Sequence, residues 1–435
     1  MSQSCGIQAD YSQTPIGDQE YYRGMTSVTV QRWISDGQRN LFCGMIKPLM
    51  DNSCGWAVYE IDDMMFDGTF TGTGEEKKAL EAKYGDLRNY SIPLFNRGRK
   101  AFEGEAVQRN IRQMLNAADF VTVTTDYLKQ VYHDFYGVPL RNIVAFPNFL
   151  PKWWIGDRYR PGDKLEQFKA NKARPRVGII SSLSHYNVDG TRSDGEGHAC
   201  RRVGRPDGSF SWVNEAGEEV PEERTQEIAD DIDAIVDCIR RTAREFQWVF
   251  LGYCPPKLKD LADAGVVEAH GGTFLTNYPS AIDNLRLQAI VAPINPIGFN
   301  FCKSFIKYME CSALGVPCFA TRCLPYDRVM PDRQLFSGGE ELEEKLRKLK
   351  FASAGAYQDM LGSQWKWLTS KHREGDFDCN GFFLEDNMSL FVDRFRLRQK
   401  TIPVLFSKFV QKYAERKAQQ ARDVIFKNDN ILITK

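Results

Sequence analysis

Short apolar runs alternate with amphipathic stretches along most of the chain. Runs at 118–124, 177–181 and 248–251 have the length and apolar character of buried strands. Stretches at 103–116 and 340–349 repeat apolar residues at three- and four-residue steps, which predicts helices. Strands that alternate with helices are typical of parallel sheets. The pattern therefore predicts an α/β protein with doubly wound sheets.

Other segments extend this predicted order. Residues 40–46 and 56–61 are predicted as the first buried strands, after an irregular lead over 1–38. Residues 225–246 are predicted as one long helix. Residues 209–214 alternate apolar and polar positions between two turn signals, which predicts a small hairpin.

At 435 residues the chain exceeds the usual size of one hydrophobic core, so two domains are expected. We predict one Rossmann-like domain over 1–155, a linker over 156–174 and a second Rossmann-like domain over 175–390. An insertion at 186–223 is too long for an ordinary strand–helix loop. Basic helices are predicted over 391–435.

Composition narrows the class of protein. Lysine and arginine number 57, as do aspartate and glutamate, so global charge favours no acidic partner. Residues 391–425 nevertheless carry nine basic residues against three acidic ones. The eleven cysteines form no CxxC pair, which indicates buried reduced thiols in a cytosolic protein. There is no leader-like start and no apolar run of membrane-spanning length, so a soluble cytoplasmic protein without a membrane span is predicted.

One stretch, 299–321, carries the clearest chemistry. Asn300, Lys303 and Ser304 are predicted in the loop and first turn of a short helix, where free backbone N–H groups attract phosphate. Glu310 lies further along the same helix. This pattern suits a nucleotide-sugar, whose pyrophosphate would meet the amides and whose ribose hydroxyls would meet the acid. The alternative is an ordinary amphipathic helix with one buried, paired acid.

The motif Lys-Ser-x-x-Lys-Tyr-x-Glu-x-x-Ala-x-Gly-x-Pro, ending at Pro317, resembles the donor-binding segment of GT-B glycosyltransferases of the family-4, retaining type. Those enzymes often carry two glutamates eight positions apart, of which Glu310 matches the second, ribose-binding one. The first falls at Cys302, which weakens the assignment of contacts to the sugar ring but leaves the ribose and phosphate assignments standing. The resemblance implies the following donor-binding residues: Ser182, Asn300, Lys303, Ser304, Lys307 and Glu310.

The resemblance extends to two strand ends, where open parallel sheets bind ligands. The segment Tyr-Glu-Ile-Asp-Asp, ending at Asp63, is similar to a strand end of phage and bacterial GT-B-like proteins. Asp62 and Asp63 have two possible roles: they would act beside the sugar or the acceptor hydroxyl, or they would only cap the following loop. His185 follows a Gly-strand-Ser-x-x-His turn like that of GT-B C-terminal domains and would approach the sugar, or be an ordinary loop histidine. In many retaining GT-B enzymes the catalytic-site histidine comes from the N-terminal domain. The one histidine in that half of this sequence, His133, lies inside a predicted helix and is a poor candidate, so the family's histidine is missing or replaced. We predict Asp62, Asp63 and His185 as catalytic residues and no metal.

Four arginines are predicted to bind the acceptor. Arg97 and Arg99 lie in a basic cluster after a charged helix, while Arg201 and Arg202 lie in the insertion. Loops at this edge of a sheet overhang the cleft between domains, so the insertion is either an acceptor-recognition element or a decorative surface hairpin.

The resemblance implies a retaining, metal-independent hexosyl- or pentosyltransferase that uses a nucleotide-sugar, expected to be UDP-linked. It makes 1–155 the acceptor-side domain and 175–390 the nucleotide-sugar-binding domain. The similarity to phage-encoded members favours a hydroxymethylated pyrimidine in phage DNA as acceptor, and therefore the host cytoplasm. A polysaccharide or lipid-linked acceptor is the alternative. A catalytically inactive binding protein is a second alternative, favoured by Cys302 and the missing N-domain histidine. Because no G-x-G-x-x-G follows the first strand of either half, a dinucleotide-dependent dehydrogenase is discounted.

Overall fold

The computed structural model describes residues 12–387 and 390, apart from 24, 26, 54, 156–160 and 195. The predicted basic helices over 391–435, with a final helix crossing back to the first domain, lie outside the described residues. So does part of the predicted linker. The fold set out below is that of Ser12–Glu385.

The described strands run in the following chain order: β1 Ser27–Gln31, β2 Trp56–Glu60, β3 Phe120–Val123, β4 Ile143–Ala145, β5 Arg176–Ser181, β6 Arg192–Ser193, β7 Ala199–Gly204, β8 Phe210–Asn214, β9 Glu219–Val220, β10 Gln226–Glu227, β11 Gln247–Gly252, β12 Glu268–Gly271, β13 Ala289–Ala292, β14 Cys318–Thr321, β15 Leu335–Phe336, β16 Lys371–Glu374 and β17 Phe377–Asn380. The described α-helices are as follows: α1 Asp36–Leu41, α2 Lys47–Asn52, α3 Gly74–Tyr84, α4 Glu105–Ala117, α5 Asp126–Tyr136, α6 Pro161–Ala170, α7 Val236–Thr242, α8 Lys259–Asp263, α9 Tyr278–Asn284, α10 Gly298–Phe301, α11 Ile306–Leu314, α12 Gly339–Phe351 and α13 Ala354–Thr369.

The first sheet contains β1 to β4 in chain order, all parallel. Its central strands β2 and β3 are buried along most of their length, as is usual for parallel sheets. Its core includes Phe42, Tyr59 and Tyr132, each fully buried. Strand β1 falls in the stretch that the sequence predicted to be irregular.

The predicted strand over 40–46 is wrong, because this segment is helical. It lies in a continuous helical stretch in which a π-helical turn, Phe42–Ile46, joins α1 to α2. Phe42, Ile46 and Met50 are buried and stand four residues apart, which is helical and not strand spacing. Ser35 starts the stretch with a capping box.

The second sheet is also parallel, with the order β12-β11-β5-β13-β14-β15. The chain builds outward from β5 through β11 to β12 and then returns to the other side of β5 at β13. This is the doubly wound Rossmann order, whose switch point lies between the first strand and the strand that reverses direction. Apolar clusters on its two faces contain Tyr308 and Trp248. The two parallel sheets with their helices form two Rossmann-like α/β units, so the predicted fold class is confirmed, with the doubly wound strand order seen in the second sheet.

The insertion forms an antiparallel sheet of its own. Its described strands pair in the order β10-β6-β7-β8-β9. The predicted hairpin is confirmed, since β8 pairs with β7, and the remaining strands widen it beyond that expectation.

The helix predicted over 225–246 is confirmed only in its second half, as α7. Residues 228–232 form a loop that contains the buried acids Asp230 and Asp231. The Asp230 carboxylate accepts hydrogen bonds from the backbone N–H groups of Asn187, 2.9 Å away, and Ile232, 3.1 Å away. Such side-chain bonds to backbone compete with helical hydrogen bonding. The acids therefore hold the loop against the insertion.

The described cysteines are free thiols. Cys302, Cys311 and Cys318 are fully buried, and burial raises the pKa of the Cys302 thiol above its usual range. They pack as small apolar side chains, as the sequence indicated.

Candidate active site

A cleft of about 770 Å³ lies where the carboxyl ends of strands from both sheets meet. The second sheet contributes its switch point, through the residues that follow β5 and β13. The first sheet contributes Asp62 and Asp63 after β2 and Asn148 after β4. Both sheets thus place the carboxyl ends of their strands, or the loops that follow them, at the same opening.

The turn between α10 and α11 forms the wall of the cleft nearest the switch point. Lys303 and Ser304 line the cleft there, and α11 begins after Phe305 without a side-chain cap. The Lys303 amine lies 5.1 Å from the centre of the Phe299 ring and forms no ion pair with any described residue. At its other end α11 stops at Gly315, which adopts φ +65°, as the Gly-x-Pro signal predicted.

Glu310 lies behind this wall and does not line the cleft directly. Its Oε2 accepts hydrogen bonds from Lys307 Nζ at 2.6 Å and from the Tyr278 hydroxyl at 3.0 Å. Burial alone would lower the pKa of the Lys307 amine, but the Glu310 carboxylate outweighs it and the pKa is raised. Lys307 and Tyr278 both line the cleft. Glu310 is therefore a buried, paired acid whose partners face the ligand space.

His185 lines the cleft and is held by a residue that the sequence did not single out. Its Nδ1 lies 2.6 Å from Asp231 Oδ2. Burial would raise the pKa of Asp231, but the hydrogen bond with His185 and the charge of Lys303 outweigh it, so the pKa is lowered. In the sequence, Asp231 is the second of two acids that directly precede Ile232, which is buried. The prediction of a helix over 225–246 concealed the role of this pair.

Asp62 and Asp63 share one guanidinium, that of Arg32. Arg32 Nε donates to Asp62 Oδ1 at 2.6 Å, and its NH2 group donates to Asp63 Oδ2 at 2.7 Å. Burial would lower the pKa of Arg32, but the two carboxylates raise it. Arg32 directly follows β1, with φ +51°, so the misplaced first strand concealed this partner.

Comparison with solved structures finds similar chains with low sequence identity. Anabaena HepE, in complex with UDP-glucose, matches at 8% identity and a TM-score of 0.41 over 80% of this chain and 78% of that one. A glycosyltransferase from Rickettsia africae matches at 11% identity and a TM-score of 0.40 over 86% of this chain and 98% of that one. TarM matches at 12% identity and a TM-score of 0.41 over 80% of this chain and 53% of that one. Neither a protein-family model nor a curated protein sequence matches the chain.

The predicted acceptor arginines of the first domain are engaged with protein groups. Arg97 is exposed and forms a two-point ion pair with Asp189, at the start of the insertion. Arg99 donates to Glu103 and to the Asp67 carbonyl, both at 2.6 Å, and its side chain is only 12% exposed. Neither residue lines the cleft. The helix expected before this cluster, α3, ends well upstream.

The predicted acceptor arginines of the insertion are exposed on β7, away from the cleft wall. The Arg202 guanidinium stacks 3.5 Å from the centre of the Phe210 ring. Across 192–227 the insertion carries five arginines against nine acidic residues. Its overall charge is therefore negative.

Two searches of the described residues complete the description of the site. No group of three or more histidine, cysteine, aspartate or glutamate side chains comes together there in a way suited to a metal ion. Within the same residues, no helix has the length and apolar character needed to cross a bilayer.

Proposed function

We propose that the protein is a glycosyltransferase that moves a sugar from a nucleotide-sugar to an acceptor hydroxyl. One observation carries the proposal: Lys303 lines the switch-point cleft, and its amine has no ion-pair partner among the described residues. Each of the other charged residues that line the cleft has a partner among the described residues. Asp62 and Asp63 pair with Arg32, His185 pairs with Asp231, and Lys307 pairs with Glu310. An unpaired, half-buried ammonium group in a cleft favours an anionic ligand.

The diphosphate of the donor fits beside Lys303. Ser304 supplies a hydroxyl, and the uncapped first turn of α11 supplies backbone N–H groups. When the bond from sugar to diphosphate breaks, charge develops on the diphosphate, and fixed positive groups stabilise that charge. The chain's own cation would thus do what a metal ion does elsewhere, in line with the predicted metal-independent reaction.

The nucleoside is proposed to extend toward Tyr278 and Lys307. Glu310 holds both of these side chains and leaves its Oε1 without a hydrogen bond to any described residue. A carboxylate oxygen accepts hydrogen bonds from hydroxyl groups such as those of the ribose. We expect a UDP-linked sugar and a retained anomeric configuration, both of which rest on the resemblance of the 303–317 motif.

Asp62 and Asp63 are proposed to face the acceptor from the first sheet. Because Arg32 neutralises half of their combined charge, we assign them as hydrogen-bond acceptors for sugar or acceptor hydroxyls rather than as a strong base. Each has a carboxylate oxygen that is not bound by Arg32.

A hydroxymethylated pyrimidine in DNA remains the proposed acceptor. The exposed Arg201 and Arg202 support it, whereas the negative charge of the insertion as a whole weakens the attraction to a phosphate backbone. The competing acceptor is a polysaccharide or lipid-linked sugar, and the experiment below separates these classes.

The decisive measurement is nucleoside diphosphate release from a panel of nucleotide-sugars. We expect the wild-type protein to release one nucleoside diphosphate and Lys303→Gln to lower kcat/KM about 100-fold, because a transition-state charge stabiliser is lost. Lys78→Gln, which changes an exposed lysine of α3, is the matched control and should keep full activity. Absence of release from every donor, or equal release by Lys303→Gln, would contradict the proposal.

The acceptor class follows from the same assay. Release that rises on addition of hydroxymethylated duplex DNA, with sugar incorporated into that DNA, would support the DNA acceptor. Release that rises only with polysaccharide or lipid-linked sugar would keep the transferase and replace the acceptor.

A further inference from the structure

We propose that Asp231 positions His185 so that the imidazole Nε2–H donates to the diphosphate as it leaves. This inference rests on the proposed function and deepens it. It assigns Asp231 as a positioning residue and gives His185 one defined task, the stabilisation of the leaving group.

Asp231 ties together the two loops at the switch point. Its Oδ2 accepts from His185, after β5, while its Oδ1 accepts from the Asn295 N–H at 2.7 Å and from Asn300 Nδ2 at 2.9 Å. Asn295 follows β13, and Asn300 lies in α10. A buried carboxylate with three such partners has a fixed orientation, because each of its oxygens is committed.

That orientation decides which nitrogen of His185 is available. Asp231 is ionised and accepts the proton on Nδ1, so the hydrogen bond fixes the ring and its tautomer. Nε2 makes no hydrogen bond with a described residue, and His185 lines the cleft with its side chain 31% exposed. With the Nδ1 proton bound to the carboxylate, a proton on Nε2 belongs to the imidazolium form, which is the form that the proposal requires.

The surroundings place this donor on the diphosphate side of the cleft. Asn300, bound to the same carboxylate, stands three residues before Lys303, and the Lys303 charge acts on Asp231. The other charged groups that line the cleft are Lys307, paired with Glu310, and Asp62 and Asp63 of the first sheet, paired with Arg32. His185 and Lys303 therefore both line the cleft beside Asp231, on the side proposed for the diphosphate.

The step balances without a further reactant. The bond from the anomeric carbon to the diphosphate oxygen breaks, and both electrons stay with that oxygen. A bond forms from the same carbon to the acceptor oxygen, whose proton is released to the diphosphate or to solvent. The His185 Nε2–H keeps its proton and donates a charge-assisted hydrogen bond to the diphosphate oxygen that gains charge.

Binding of free nucleoside diphosphates tests this without any acceptor. Affinities of UDP, GDP, ADP and dTDP would be measured by calorimetry between pH 5.5 and 8.5 for the wild type, His185→Gln and the control His198→Gln. We expect the preferred diphosphate to bind the wild type about tenfold more tightly than His185→Gln at pH 6, with the difference disappearing toward pH 8.5. Comparing the proteins at the same pH cancels the effect of the diphosphate's own titration on affinity, because that effect is the same for every variant.

Turnover separates a leaving-group donor from a base that activates the acceptor. As a donor, His185 works protonated, so activity falls as pH rises and this alkaline loss is absent in His185→Gln. In Asp231→Asn the amide N–H would face Nδ1 and leave a neutral Nε2–H. We expect Asp231→Asn to lose only part of the turnover that His185→Gln loses, and to be about tenfold less active than wild type. If His185 were a base, the same substitution would inactivate the enzyme.

The outcomes separate the role of His185 from the proposed glycosyltransferase activity. Equal diphosphate affinity of wild type and His185→Gln at every pH would overturn the role of His185 and leave the transferase intact. Lost turnover with unchanged diphosphate affinity would overturn it in favour of a base. No binding of any nucleoside diphosphate by the wild type would overturn both. His185→Gln changes a part-exposed loop residue and keeps the test valid if Asp231→Asn does not fold.

Discussion

The side-chain amide of Asn148 donates a 2.7 Å hydrogen bond to the hydroxyl of Ser304. Asn148 follows β4 of the first sheet, while Ser304 precedes α11 of the second α/β unit, so this bond joins the two units at the cleft that both residues line. It fixes the hydroxyl that the proposed diphosphate would meet. Donor affinity and the approach of the two sheets are therefore coupled at one point.

Asn148→Ala tests that coupling. A neutral hydrogen bond contributes about 1 kcal/mol, which corresponds to roughly a fivefold change in an equilibrium constant. We expect KM for the donor to rise about three- to tenfold with little change in kcat, measured by initial rates. Asn89→Ala, at an exposed position of the first domain, is the control. An unchanged donor KM would show that Ser304 is positioned without Asn148.

The Arg97–Asp189 ion pair offers a test of two roles for Arg97. As a contact that joins the first domain to the insertion, it would be broken in Arg97→Asp and restored in the double variant Arg97→Asp, Asp189→Arg. As an acceptor-binding residue, Arg97 would not be rescued by the swap. We expect rescue, with the single variant changing acceptor KM by roughly two- to fivefold at low salt and less at high salt.

The measurement is acceptor KM for the wild type, both single variants and the double variant at two ionic strengths. Loss of acceptor affinity that persists in the double variant would return Arg97 to the acceptor site.

Gly252 holds the edge of the cleft through its backbone. It ends β11 with φ +105°, and a Cβ placed there would lie 2.3 Å from the Ser181 carbonyl oxygen of β5. Gly252→Ala therefore meets both backbone strain and a clash with a fixed atom, costing about 2 kcal/mol or more. We expect a fall in Tm of several degrees by thermal denaturation.

Gly204→Ala is the matched control for that loss. Gly204 ends β7, where an added Cβ meets no atom within 4 Å. A similar fall in Tm for both variants would refute the clash as its cause.

Glu310 admits a ligand role and a purely structural role, and two readouts distinguish them. Glu310→Gln leaves the Lys307 ammonium buried without its carboxylate, so stability should fall in either case, by about 3 kcal/mol. A ribose contact would in addition lower UDP affinity while leaving affinity for pyrophosphate unchanged. We expect both effects, measured by urea denaturation and by calorimetry.

Lys307→Met is the companion variant, because it breaks the same pair without removing the carboxylate. Equal losses of UDP affinity in Glu310→Gln and Lys307→Met would indicate that the pair only supports the wall of the cleft.

Local sequence determined the features that depend on near neighbours. The buried strands β2, β3, β5 and β11 follow from continuous apolar runs, and the end of α11 follows from Gly315. The placement of Lys303 and Ser304 in a turn at the strand edge follows from the same reasoning, because parallel α/β sheets expose their strand ends at one edge. These features fixed the fold class and the location of the candidate site.

Tertiary structure decided the partners of each charged group. Arg32 neutralises Asp62 and Asp63 from a strand thirty residues upstream, and Asp231 reaches His185 from across the insertion. The helix at Phe42–Ile46 also depended on packing, since its apolar residues suit a strand or a helix until a neighbouring surface selects one face. Ion pairing and burial depend on distances between segments far apart in the chain, and local periodicity carries no information about those distances.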